Sequence, residues 1–146
     1  MATVEVRVFF RASPERVFGA IADHERFFSG SPIRSAKVTK AGSPDRNGLG
    51  AIREISGPGL DFVEEITLFD RPRAYEYRVR KINLPAVHEF GRLDFNPRDG
   101  GTEVVWQTRY QMPMAVVGPV FAWLMAPVFK ITFTRLLERA RAGLKA

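Results

Sequence analysis

Alternation of apolar and polar residues with a period of two marks seven segments of the chain and predicts seven β-strands. In the segment 3–10, Val4, Val6, Val8 and Phe10 share one side. The predicted strands cover residues 3–10, 33–40, 49–56, 60–70, 74–82, 87–95 and 102–112. Clusters of glycine, proline and aspartate separate several of them, which favours short turns between successive antiparallel strands.

A helical period replaces the alternation directly after the first strand. Ser13 is a suitable N-cap and Pro14 fits the first helical position. Val17, Phe18 and Ile21 then recur at helical spacing. A charged run interrupts the pattern shortly afterwards. We therefore predict two short helices between the first and second strands.

The C-terminal part of the chain also has a helical pattern. Residues 116–129 are strongly apolar but contain Pro119 and Pro127, and the stretch is too short and broken to span a bilayer comfortably. Apolar residues continue at helical spacing at Phe129, Phe133, Leu136, Leu137, Ala140 and Leu144. This predicts a long amphipathic helix, kinked or restarted near Pro127, that covers one face of a curled sheet. The expected fold class is α+β.

Composition narrows the classes of protein. A chain of 146 residues with 45% hydrophobic residues predicts one domain, residues 1–146, with a substantial core. There is no cysteine and no signal-peptide pattern, which favours the cytoplasm. The net charge of +6 comes from scattered residues, so we expect no dedicated nucleic-acid binding. No phosphate loop, dinucleotide fingerprint or metal-ligand spacing is present, and we expect no cofactor and no metal.

Three stretches resemble the START-like (SRPBCC) superfamily, and within it the polyketide cyclase/dehydratase-like branch. They are "ASPERVFGAIAD" after the first strand, "EEITLFDRPRAYEYRV" in the middle and "GGTEVVWQTRYQMP" before the last helix. The resemblance implies a helix-grip fold, in which a curved seven-stranded antiparallel sheet wraps around the C-terminal helix. It also implies a cavity between sheet and helix that holds an apolar ligand.

Comparison with the related plant abscisic-acid receptors implies positions inside this cavity. The receptors' inward lysine corresponds to Arg34, and their inward glutamate corresponds to Glu65. Their gate resembles residues 56–59, and their latch histidine falls near His88. The resemblance therefore implies a cavity with Arg34 and Glu65 as polar anchors. Strand alternation would then turn Ile66 and its apolar neighbours outward, which is unfavourable unless a bulge shifts the register.

Candidate catalytic residues are Glu65, Glu54 and His88, which could act as acids or bases in an apolar cavity. Each has a plainer interpretation: the glutamates as surface ion pairs, and His88 as an exposed loop residue. His24 lies in the break between the short helices and is expected to be solvated or to act as a cap.

Candidate ligand-binding residues lie on the expected concave face and on the helices that cover it. They are Arg34, Phe28, Ile52, Tyr77, Leu93, Trp106, Tyr110, Phe121, Met125 and Phe129. These aromatic positions could equally be ordinary core. The leading hypothesis is a protein that binds a hydrophobic or aromatic small molecule. The alternatives are a polyketide cyclase/dehydratase-like enzyme and a membrane-docking lipid or quinone carrier. Other candidate partners are an anionic membrane surface, contacted weakly by residues 114–129, and a second copy of the chain.

Overall fold

The computed structural model describes residues 2–30, 33–57, 59–83, 86–111 and 117–145. Strands and helices follow one another in the order that the sequence pattern predicts. They are β1 (Ala2–Phe10), α1 (Pro14–Ile21), α2 (His24–Phe27), β2 (Ser35–Lys40), β3 (Ile52–Gly57), β4 (Leu60–Asp70), β5 (Ala74–Ile82), β6 (Val87–Arg98), β7 (Gly101–Gln111) and α3 (Val117–Lys145).

The described strands form one seven-stranded antiparallel sheet in the order β1-β7-β6-β5-β4-β3-β2. The first two strands of the chain therefore lie at opposite edges, and α1 and α2 span the distance between them. The predicted α+β helix-grip fold is confirmed. β6 extends to Arg98, beyond its predicted end, because the turn needs only Asp99 and Gly100, both with positive φ.

The N-terminus of α1 follows the capping rules. The hydroxyl of Ser13 accepts a hydrogen bond from the backbone N–H of Arg16 over 3.3 Å, and Pro14 occupies the first turn. Val17, Phe18 and Ile21 are completely buried. The ring of Phe18 meets aromatic rings of the sheet, so α1 fills one end of the curled sheet with side chains.

α3 runs as one helix through Pro127, so the predicted restart does not occur. Leu136 and Leu137 are buried. A stripe of large apolar residues on the other side of the helix stays exposed, at Val120, Trp123, Leu124 and Ile131, and Val128 at the edge of this stripe is half exposed. No helix within the described residues is long and apolar enough to cross a membrane.

Candidate ligand-binding site

A cavity of about 300 Å³ lies between the sheet and the middle of α3. Gly57, Leu60, Ile82 and Ala86 belong to its wall, which places it at the end of the sheet where β3 and β5 finish and β4 and β6 begin. Val128 of α3 lines the cavity while 49% exposed, and so marks where it reaches the surface. The wall is mainly apolar, and its polar or charged residues are Arg53, Glu64, Tyr77, His88, Thr108, Tyr110 and Thr132.

Arg53 on β3 and Glu64 on β4 form a buried ion pair in this wall. They are direct partners in the antiparallel register, and Arg53 Nε donates to Glu64 Oε1 over 2.8 Å. The guanidinium carbon lies 4.8 Å from the ring centroid of Phe28 and 4.7 Å from that of Tyr77. Burial by itself would lower the pKa of Arg53, but the charge of Glu64 holds that pKa above its ordinary value. Arg53 therefore stays charged inside the protein.

His24 holds the other side of the Arg53 guanidinium. Arg53 Nη1 donates to Nδ1 of His24 over 3.0 Å, and Nε2 of His24 donates to the carbonyl oxygen of Asn47 over 2.9 Å. Because arginine can only donate, the proton of this imidazole sits on Nε2. Burial, followed by the charge of Arg53, lowers the pKa of His24 to about 3. The expectation of a solvated or capping histidine is corrected, since His24 is 1% exposed and supports the ion pair.

His88 lies in β6, where the main-chain pairing of β5 with β6 has ended. That pairing runs only as far as Tyr77 opposite Gly91, and the imidazole takes over as a partner beyond it. The backbone N–H of Val79 donates to Nδ1 of His88 over 3.1 Å, and Nε2 donates to the hydroxyl of Thr108 over 2.7 Å. Burial, then the charge of Arg78, lowers the pKa of His88 to about 4. His88 is thus a neutral, fully hydrogen-bonded part of the wall and not an exposed loop residue.

Tyr77 and Trp106 form the aromatic floor of the cavity. Trp106 Nε1 donates to the hydroxyl of Tyr77 over 2.9 Å, and the indole stacks on Phe133 of α3 at a centroid distance of 3.9 Å. The Tyr77 ring lies over Gly91, where an added Cβ would collide with Cζ of the ring. The absence of a side chain at Gly91 therefore leaves the space that the Tyr77 ring occupies. Burial, followed by the charge of Glu64, raises the pKa of Tyr77, which keeps the phenol protonated.

The structure places all but one of the predicted polar anchors and acids, and also Ile52, outside the cavity. Glu65 points away and pairs with Arg80 over 2.9 Å. Glu54 and Arg34 are exposed, and Ile52 is half-buried without lining the cavity. The expected inward orientation of Glu65 and Arg34 is corrected to Glu64 and Arg53.

Alternation along the strand explains the correction at β4. The pairing of β4 with β5 is irregular at two points, between Val63 and Glu64 and between Ile66 and Leu68. Glu64 and Ile66 share the inward face that simple alternation assigns to them, and the apolar face that the alternation described is indeed the inner one. The signal was present in the sequence: Glu64 alternates with apolar residues, as Arg53 does with Ile55.

The other predicted ligand-binding residues are distributed over wall, core and surface. Those that line the cavity are Phe28, Tyr77, Trp106, Tyr110 and Phe129. Leu93 is fully buried in the core beside it, and Met125 is half-buried on α3 without lining it. Phe121 belongs to α3, but its side chain lies outside the described residues. The cavity residues that the sequence analysis did not select include the charged pair, Arg53 and Glu64.

A family model described as "Polyketide cyclase / dehydrase and lipid transport" matches residues 1–146. The chain belongs to this family. A search of curated proteins found no match. Family membership agrees with the resemblance drawn from the sequence, and it implies a cavity for a hydrophobic ligand without specifying that ligand.

Solved structures of similar fold come from varied sources. Ara h 8.0201 aligns with a TM-score of 0.73 at 13% identity, covering 97% of this chain and 95% of that one. A START superfamily protein from Mycobacterium smegmatis aligns with a TM-score of 0.73 at 13% identity, covering 97% of this chain and 98% of that one. XoxI from Bacillus cereus aligns with a TM-score of 0.72 at 19% identity, covering 100% of this chain and 99% of that one. At these identities the similarity establishes the shared fold.

Proposed function

We propose that this protein binds a hydrophobic or aromatic small molecule in the cavity between the sheet and α3. The observation that carries the proposal is the cavity itself: about 300 Å³, with a mainly apolar wall, in a domain whose other end is filled with side chains. Tyr77, Trp106 and Phe129 offer flat surfaces to an aromatic ligand.

Binding can be tested with uncharged aromatic probes such as naphthalene, biphenyl and anthracene. Trp106 lines the cavity, whereas Trp123 is 72% exposed, so Trp123→Phe leaves Trp106 as the one tryptophan that reports binding. We expect the probes to change Trp106 fluorescence saturably and to raise the Tm.

Two threonines of α3 provide a matched pair of variants for this test. Thr132 lines the cavity and Thr134 does not, although each hydroxyl donates to the carbonyl oxygen four residues earlier. Thr132→Phe should fill the cavity and abolish binding, while Thr134→Phe should leave it intact. Equal behaviour of the two variants, or failure of every probe to bind, would overturn the proposal.

An acid–base enzyme of the polyketide cyclase/dehydratase type is the second candidate. The observation in its favour is the carboxylate of Glu64 inside the apolar wall, in reach of a bound substrate. Glu64 would take a proton from a carbon beside a ketone of the substrate. Deuterium exchange at that carbon of a bound diketone, measured by NMR, should then depend on Glu64. Exchange that persists in Glu64→Gln would exclude this role.

Weak membrane association is a third candidate. The observation that supports it is the exposed apolar stripe of α3, which includes Trp123 and Leu124, on a chain of net charge +6. Co-flotation with anionic liposomes at low salt should fall when Trp123 and Leu124 are both changed to serine. Flotation that is equal for the wild type and this variant would rule out the stripe as the contact.

A further inference from the structure

The hydrogen-bonding groups of the cavity wall are largely used by one another. His88 bonds to Val79 and Thr108, and the hydroxyl of Thr108 donates to the carbonyl oxygen of Phe90 over 3.3 Å. The hydroxyl of Thr132 donates to its own helix. The indole N–H of Trp106 is taken by the hydroxyl of Tyr77. These groups can therefore offer little to a ligand without breaking existing hydrogen bonds.

The two members of the ion pair differ in the atoms that they leave free to bind a ligand in the cavity. Oε1 of Glu64 accepts from Arg53, whereas Oε2 takes part in none of the hydrogen bonds found among the described residues. Arg53 directs Nε to Glu64 and Nη1 to His24, and Nη2 is covered by protein. Of the ion pair, the atom that remains able to bind a ligand is thus Oε2 of Glu64, a hydrogen-bond acceptor, and the donors of the guanidinium are turned away from a ligand.

A free carboxylate oxygen favours a ligand that donates a hydrogen bond to it. A hydroxyl hydrogen bonded to an ionised oxygen forms a charge-assisted hydrogen bond, which is stronger than a neutral one. A carboxylate on the ligand would instead meet a like charge in an apolar wall, and the guanidinium donors that could compensate it are directed to Glu64, to His24 and into the protein. A cationic ligand would gain little, because Arg53 already balances Glu64.

We propose that the ligand is an apolar molecule with a neutral hydroxyl group, an alcohol or a phenol, that donates to Oε2 of Glu64, and that the cavity rejects the same skeleton bearing a carboxylate. This inference rests on the proposed binding function and gives its ligand class. It runs against the net charge of +6, which by itself would attract acids.

Three probes of one shape separate these effects: naphthalene, naphthol and naphthoic acid at pH 7.5, with Kd measured from Trp106 fluorescence in the Trp123→Phe background. We expect naphthol to bind about tenfold more tightly than naphthoate, or better, as one charged hydrogen bond gained or opposed would give. Equal binding of naphthol and naphthoate, with naphthalene also bound, would overturn this inference alone. Failure of all three probes would overturn the proposed function as well.

Neighbouring glutamates give the matched variants. Glu64→Gln removes the charge but keeps an acceptor oxygen, so naphthoate should gain affinity about tenfold while naphthol changes little. Glu65→Gln removes a charge from the next residue, outside the cavity, and should change neither Kd. If both variants shift naphthoate binding equally, the discrimination comes from the overall field and the inference is overturned.

A double variant keeps the test decisive where Glu64→Gln leaves Arg53 unpaired and unfolds the protein. Arg53→Met with Glu64→Leu replaces the whole pair by apolar side chains, an exchange that buried ion pairs often tolerate. The double variant should bind naphthol no more tightly than naphthalene. A preference for naphthol that survives in it would contradict the assignment of Glu64 as the acceptor.

Discussion

The two ends of the molecule use the same sheet and the same helix but fill them differently. At the end covered by α1, Phe18 and Ile21 are completely buried, and the Phe18 ring lies 4.8 Å from that of Phe95 and 5.1 Å from that of Phe69. At the opposite end the sheet and α3 enclose a cavity of about 300 Å³. The comparison shows that the short helices after β1 convert one half of the curled sheet into packed core and leave the other half hollow.

Each end also buries one neutral histidine, for a different purpose. His24 contacts Tyr75 on the packed side and holds Arg53 in position. His88 stacks on Tyr77 in the cavity wall and completes the pairing of β5 beyond its last main-chain partner. The Arg53–Glu64 pair lies between these two histidines, so the polar part of the cavity is anchored in the packed half of the molecule.

We expect the largest loss of stability when this ion pair is broken. Arg53→Ala leaves Glu64 as an unpaired buried charge and should lower the free energy of unfolding by about 3–5 kcal/mol. Unfolding in urea, followed by circular dichroism, measures the change. The double variant Arg53→Met with Glu64→Leu is the control and should lie close to the wild type. An equal loss in both would mean that packing of Arg53, and not its charge, is the main contribution.

Adjacent leucines of α3 test the contrast between packed core and cavity wall. Leu137 is completely buried in the core, whereas Leu136 lines the cavity and has contacts on fewer sides. Leu137→Ala should cost about 3–4 kcal/mol, and Leu136→Ala should fall near about 2 kcal/mol, the low end for such changes. Naphthalene affinity, measured on the same proteins, should change only in Leu136→Ala. The reverse ranking would contradict the division into two ends.

Counted for one histidine over one pH unit, the smallest effect is a dependence of stability on pH. In the unfolded chain each imidazole has a pKa of about 6.5, whereas in the fold His24 and His88 have values of about 3 and about 4. Below about pH 6.5 the unfolded state therefore binds protons that the folded state does not. Stability is complete above that pH and falls by about 1.4 kcal/mol per pH unit for each histidine, down to the folded values.

Unfolding in urea at several pH values between 7.5 and 4.5 checks this prediction. His24→Gln and His88→Gln should each remove about half of the slope above pH 5, where few carboxylates titrate. A slope that neither variant reduces would show that other groups cause the loss. If only His24→Gln reduces it, His88 is open to protonation from the cavity.

Local patterns were enough to predict most of the fold. The N-cap at Ser13, the buried face of α1 and the alternation in β1 depend on residues close together in the sequence, and the structure reproduces them. The bounds of β4 and β5 agree residue for residue with the prediction. The polar residues of the site were harder to predict from the sequence. Glu64 and Glu65 are neighbours of the same type, and the resemblance assigned the inward position to Glu65 although alternation with apolar residues favoured Glu64.

By itself, the sequence determined the order of the elements, the α+β fold class and the sets of residues that share a face, because these follow from backbone periodicity. Only the tertiary structure decided which of two arginines, Arg34 or Arg53, lies inside, and that His24 is buried between Arg53 and the backbone of Asn47. The physical reason is that burial depends on partners distant in the chain. A charged side chain tolerates the interior where an opposite charge and a hydrogen-bonding group meet it. Alternation along one strand can indicate the face of a side chain, but it does not name the partners that the side chain meets there.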